Sequence, residues 1–165
     1  MIYKQANTLQ MVAEFHELFD QPILSKPQIP ELDRAKLRVS LMQEELDELN
    51  KAIDDWNLLE VADALWDLEY VLMWSILEFG LWSYFGDVFE DIHSSNMSKL
   101  CDSIEQAEET IKRYKSNKWW EYTYKERWNK FVILREDGKV IKSIYYKPID
   151  ITKILKINTK KSATK

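Results

Sequence analysis

The stretches Gln43–Leu49, QEELDEL, and Leu58–Trp74, LLEVADALWDLEYVLMW, decide how this chain is read. They carry Glu44, Glu45 and Glu48 on the first, and Glu60 and Asp63 on the second, with Asp67 one turn further on. Along a helix, Glu45 and Glu48 are i, i+3, and so are Glu60 and Asp63; each pair then stands about 5–6 Å apart at Cβ. Asp67 extends the second pair into an i, i+3, i+7 stripe. The second stretch is apolar on nearly every side, so its acids are expected to be buried. An ionised carboxylate in such a place needs a cation or a dense set of donors. Two acidic stripes facing each other across a helix pair form a cage of oxygen ligands suited to Mg²⁺, with Mn²⁺ as the alternative ion. The pattern points to phosphate chemistry.

The rest of the composition bounds this reading. With 165 residues, 45% hydrophobic and 13% aromatic, the chain has enough apolar material for a core. Three glycines and four prolines favour long helices over a turn-rich β fold. The balance of 23 basic against 28 acidic residues gives −5, which argues against a nucleic-acid polymer as partner. The single cysteine, Cys101, excludes an internal disulfide and fits a reducing cytoplasm. The start, MIYKQANTLQMVAEF, lacks a basic region followed by an apolar core. The apolar run Tyr70–Leu77 falls far short of the roughly 20 residues that span a bilayer, so no membrane is expected as partner.

Periodicity predicts helices over about Asn7–Phe19, Glu31–Asp54, Leu58–Phe79, Gly86–His93 and Ser103–Lys115. Pro22, Pro27 and Pro30 interrupt between the first two. On the second helix Met42, Leu46, Leu49 and Ile53 form the expected core stripe. Arg38, Leu41, Glu45 and Glu48 lie beside it. A short link from Asp54 to Asn57 makes the next helix antiparallel. From Trp119 to Tyr146 the texture becomes aromatic and β-branched, and Asp137-Gly138 is expected to turn an antiparallel hairpin. The fold class is all-α, a helical bundle with a small C-terminal hairpin. Its domains are a helical one over 1–115, a β appendage over 116–150, and a turn with a lysine-rich tail over 151–165.

Taken alone, EELDEL is an ordinary solvated helix face, whereas acids on the apolar second stretch are harder to explain that way. In order along the chain, EELDE and EVAD resemble the EExxE…ExxD signature of the all-α nucleoside triphosphate pyrophosphohydrolases. The likeness continues through FHELF, LRVSLMQEELDEL, ADALWDLEYV, HSSNMSKL and DGKVIKSIYYKPID, which resemble a MazG-like, phosphoribosyl-ATP pyrophosphohydrolase-like subgroup. That resemblance implies Mg²⁺-dependent cleavage of a nucleoside triphosphate to a monophosphate and pyrophosphate, for nucleotide-pool housekeeping. It implies Glu45, Glu48, Glu60 and Asp63 as metal ligands, Asp67 in support and Glu44 as the base. Asn96 and Lys99 would contact phosphates or sugar. It also implies a homodimer or homotetramer, since one four-helix unit covers its acidic stripes poorly. Phosphoribosyl-ATP as substrate, or a catalytically silent interaction module, are the alternatives. Ser94 stands where the subgroup has an arginine, and the interval between Glu48 and Glu60 is short for the superfamily.

Overall fold

The computed structural model describes residues 6–116 and 119–155; the expected lysine-rich tail from Lys156 lies outside the described residues. Among them are six α-helices and a two-stranded antiparallel sheet. The helices are α1 Thr8–Leu18, α2 Leu32–Asp54, α3 Leu58–Glu78, α4 Phe85–Met97, α5 Ile104–Lys115 and α6 Ile151–Leu155. The strands are β1 Tyr122–Arg127 and β2 Lys130–Arg135. The chain divides into two compact units, one ending at Phe85 and one starting at Gly86. The helical domain expected to run to residue 115 therefore spans this division.

In the first unit, α2 and α3 pack along their length and α1 packs on α3. Asp55–Asn57 is the whole link between the two long helices. Asn57 caps α3, its side-chain oxygen accepting from the amides of Leu59 and Glu60 at 3.2 and 3.4 Å. Val12, Met73 and Leu77 form the centre of the core, with Leu9, Ala13, Ile23, Tyr70, Trp74 and Phe85 around them.

Antiparallel packing brings the start of α2 to the end of α3, where a polar network is buried. Glu78 has no exposed surface and forms an ion pair with Arg34. Its carboxylate also accepts from Trp74 Nε1 at 2.8 Å and lies 3.7 Å from Arg38 Nε. The Arg38 guanidinium lies over the Trp74 ring, 4.4 Å from its centre. Fully buried His16 meets Trp74 edge-on, its ring centre 4.9 Å away. His16 Nδ1 donates to the Pro22 carbonyl at 3.0 Å, a role that fixes the tautomer with Nδ1 protonated.

The segment between α1 and α2 is irregular, as its prolines require, yet it is tied down. The Leu24 and Gln28 amides donate to the carbonyls of Leu77 and Phe79, each at 3.1 Å. Gly80 makes this approach possible. Its φ is +65°, and a Cβ there would come within 2.1 Å of the Lys26 carbonyl oxygen.

Two expectations about this unit are corrected. The α2 stripe Met42, Leu46, Leu49 and Ile53 is not a buried seam, since Leu46 and Ile53 are exposed. The buried residues of α2 are Arg38 and Ala52. Leu58, Leu59, Leu65, Trp66 and Leu72 of α3 are likewise exposed. Within one chain each long helix has a single neighbour along much of its length, so a helix apolar on several sides cannot bury all of them.

The second unit has its own core of Cys101, Ala107, Tyr122, Phe131, Ile133 and Ile141, with Ile111 and Tyr114 against it. Cys101 is a buried structural residue whose backbone pairs in both directions with Phe131. Ser103 caps α5 by accepting from the Gln106 amide at 3.3 Å. The hairpin turn differs from expectation. Arg127 pairs with Lys130, so the two-residue turn is Trp128–Asn129, both with positive φ of 48° and 59°, the geometry of a type I′ turn. Asp137-Gly138 instead makes a second turn beyond β2, closed by a single bridge from Leu134 to Val140.

Three consequences are measurable. Glu78→Gln leaves a buried guanidinium without its counter-charge and is expected to lower stability by about 3 kcal/mol in urea unfolding. Gly80→Ala is expected to cost about 2 kcal/mol or more, because it meets both the positive φ and the Lys26 carbonyl. Burial lowers the His16 pKa from 6.5, outweighing the Pro22 hydrogen bond, so the unfolded chain takes up that proton first. Stability is then full above about pH 6.5 and falls as the pH drops through that value. In His16→Gln the slope from this group disappears from unfolding curves recorded between acid and neutral pH.

Candidate active site

Antiparallel α2 and α3 place the two acidic stripes opposite each other, and Glu45 is where they meet. Glu45 is half-buried, and its pKa is raised first by that burial. The charges of Asp67, Glu48, Glu44 and Asp63 then raise it further, in that order. Carboxylates of two helices thus act on one another here. Glu60 stands one turn before Asp63, in the first turn of α3, where a negative charge meets the positive end of the helix.

The sequence reading expects Glu60, Asp63 and Asp67 of the apolar stretch to be buried, and the structure corrects it. Glu44, Glu48, Glu60, Asp63 and Asp67 are all exposed, and Glu45 alone is half-buried. The fully buried carboxylate of α3 is Glu78, which neutralises arginines. The acids of the apolar stretch thus stand in reach of α2 yet open to solvent. Glu44 and Glu48 also line a shallow groove along α2, with Ser40, Gln43, Asp47 and Lys51.

Among the described residues, no three histidine, cysteine, aspartate or glutamate side chains converge closely enough to hold an ion. The donor set nevertheless fits a hard divalent cation. It consists of carboxylate oxygens alone, and their mutual repulsion at Glu45 is the strain that such a cation relieves. The residues that could hold it are the expected ones, Glu45, Glu48, Glu60 and Asp63, with Asp67 one turn beyond Asp63.

Asn96 and Lys99 belong to the second unit. Asn96 is in the last turn of α4, a helix longer than the sequence predicts, and Lys99 follows that helix. Lys99 Nζ donates to Asn96 Oδ1 at 2.7 Å, which fixes the two side chains together. His93 is exposed on α4. Trp128 is exposed in the hairpin turn, and Trp120 lies under the Arg135 guanidinium, 4.3 Å from its ring centre.

Sequence reasoning missed the buried cluster of Arg34, Arg38 and Glu78. One signal was available: Arg34 and Arg38 are i, i+4 on a helix whose next turns are acidic, and Glu78 closes an apolar run. It also missed Lys142 and Tyr146, which join Lys99 only through tertiary contacts.

No helix among the described residues is long and apolar enough to cross a membrane. Residues 12–96, more than half of the chain, match the phosphoribosyl-ATP pyrophosphohydrolase family. An uncharacterised protein of Acanthamoeba polyphaga mimivirus is 35% identical over 114 residues, covering 60% of this chain and 45% of the viral protein. The chain thus spans less than half the length of that relative. The matched segment contains both acidic stripes and ends at Asn96, and the architecture is all-α with a small terminal hairpin. The chain belongs to the phosphoribosyl-ATP pyrophosphohydrolase family, within the MazG-like all-α pyrophosphohydrolases.

Proposed function

We propose that this chain is a divalent-cation-dependent pyrophosphohydrolase of nucleoside triphosphates, releasing a monophosphate and pyrophosphate. The observation that carries the reading is the crowding of Asp67, Glu48, Glu44 and Asp63 around Glu45 on two facing helices. In this reading Glu45, Glu48, Glu60 and Asp63 hold Mg²⁺ or Mn²⁺, and Asp67 supports them. The bound ion supplies neutralisation of the substrate's phosphates. Glu44, one residue round the helix and exposed, takes the proton from the attacking water. The water oxygen bonds to phosphorus, the bridging P–O bond of the anhydride breaks, and pyrophosphate carries away the bonding pair. Asn96 and Lys99 bind phosphate or sugar oxygens.

The family's own description favours a second reading, with phosphoribosyl-ATP as the substrate and the same bond chemistry. The open apolar face of the long helices, where Leu59 is 82% and Trp66 69% exposed, supports a homodimer or homotetramer. A second copy of this chain covers that face and shields the acids. Expected substrates are surplus or non-canonical nucleotides, in a soluble, cytoplasmic housekeeping role.

The deciding experiment follows pyrophosphate release from ribo- and deoxyribonucleoside triphosphates and from phosphoribosyl-ATP, with Mg²⁺ and with EDTA. EDTA-sensitive release with a matching monophosphate supports the reading and names the base. No release from any of them by folded protein overturns it. Glu48→Gln and Asp63→Asn are expected to lower kcat at least 100-fold while the circular dichroism spectrum stays unchanged. Activity surviving in both would show that the stripe does not hold the ion.

A further inference from the structure

We infer that Lys142 and Tyr146, together with Lys99 and Asn96, form a binding site for a polyphosphate anion in the second unit. The inference deepens the pyrophosphohydrolase reading and rests on it for the identity of the anion.

The end of α4 and the segment 143–147 are stitched together residue by residue. Buried Ser95 donates to the Lys147 carbonyl at 2.8 Å and lies 3.0 Å from the Tyr146 phenol oxygen. Ser98 Oγ accepts from the Lys147 amide at 2.9 Å, and the Lys99 carbonyl accepts from the Ser143 amide at 3.2 Å. This lacing fixes the backbones of Lys99 and Tyr146 beside each other. Lys142 Nζ stands 4.2 Å from the centre of the Tyr146 ring. The Ser95 hydroxyl, then Lys142 and Lys99, hold the Tyr146 phenol below its ordinary pKa, so both ammonium groups act on the same oxygen.

Neither lysine has a carboxylate within ion-pair distance among the described residues. Lys115, Lys130 and Lys153 do, with Glu121, Asp102 and Asp150. Lys142 is stacked on the Tyr146 ring and Lys99 is laced to the same segment, so two cations without a carboxylate partner stand at one phenol. Asn96 spends its oxygen on Lys99, which leaves the amide N–H groups of this exposed side chain as donors. Two ammonium groups and an amide make a surface rich in donors. Such a surface selects an anion with many acceptor oxygens, and lysines bind phosphate as mobile point charges.

The phosphates could be those of an incoming nucleotide or of free pyrophosphate, and calorimetry on the full chain in EDTA separates them. Inorganic pyrophosphate and α,β-methylene-dATP are each titrated into wild type, Lys142→Gln and Lys142→Arg. Lys142→Gln is expected to weaken at least one of them tenfold or more, with Lys142→Arg recovering part of the loss. Exposed Lys125→Gln, on β1, serves as the control and is expected to bind as wild type. Loss for pyrophosphate alone assigns the site to the product, and loss for both assigns it to the substrate. Unchanged binding of both anions to folded Lys142→Gln overturns the inference. If the activity panel is silent but pyrophosphate binding still depends on Lys142, the hydrolase reading fails and the anion site stands.

Discussion

The first unit depends on a carboxylate that water does not reach. Glu78 lies at the end of α3, and its charge is matched by Arg34 and Arg38 from the start of α2. Burying one charge without the others would cost several kcal/mol, so the helices have one register in which all three are satisfied. That register also lays Glu45 against Asp63 and Asp67, about two turns along α2 from Arg38, or roughly 10 Å. One end of the helix pair is a neutralised ion cluster, and the other is an accumulation of like charge. The stable end holds the repulsive end in place, as expected where an unfavourable arrangement is kept for binding.

The helical part of this fold was legible in the sequence because period and punctuation agree there. The boundaries of α1, α2, α3 and α5 fall within a residue or so of the periodic segments, and Asn57 and Ser103 are recognisable caps. The hairpin was legible in kind but not in place. Asp137-Gly138 has the stronger local turn chemistry, yet Trp128–Asn129 sets the register, since it directs Phe131 and Ile133 toward Cys101 and α5. Packing of those side chains outweighs a local preference worth about 1 kcal/mol or less.

At the site, the grouping of acids on two helices was readable from spacing, and their exposure was not. A stretch that is apolar all round suggests burial, but burial depends on how many neighbours surround the helix. The Glu78 pairing was out of reach for a related reason: Arg34 and Glu78 are 44 positions apart, and no periodicity reports a contact at that range. Lys142 likewise gains its meaning only from what Tyr146 and Lys99 bring beside it.

The irregular strap between α1 and α2 has an entropic consequence. Pro22, Pro27 and Pro30 restrict the unfolded chain as much as the folded one, so ordering this stretch forfeits less freedom than ordering an ordinary loop. Proline also removes three amide donors that would otherwise need partners. Two of the donors that remain, at Leu24 and Gln28, meet the carbonyls that α3 leaves open at its end. The strap thus finishes the hydrogen bonding of the helix bearing the acids. A segment without secondary structure thereby completes the polar satisfaction of a helix end.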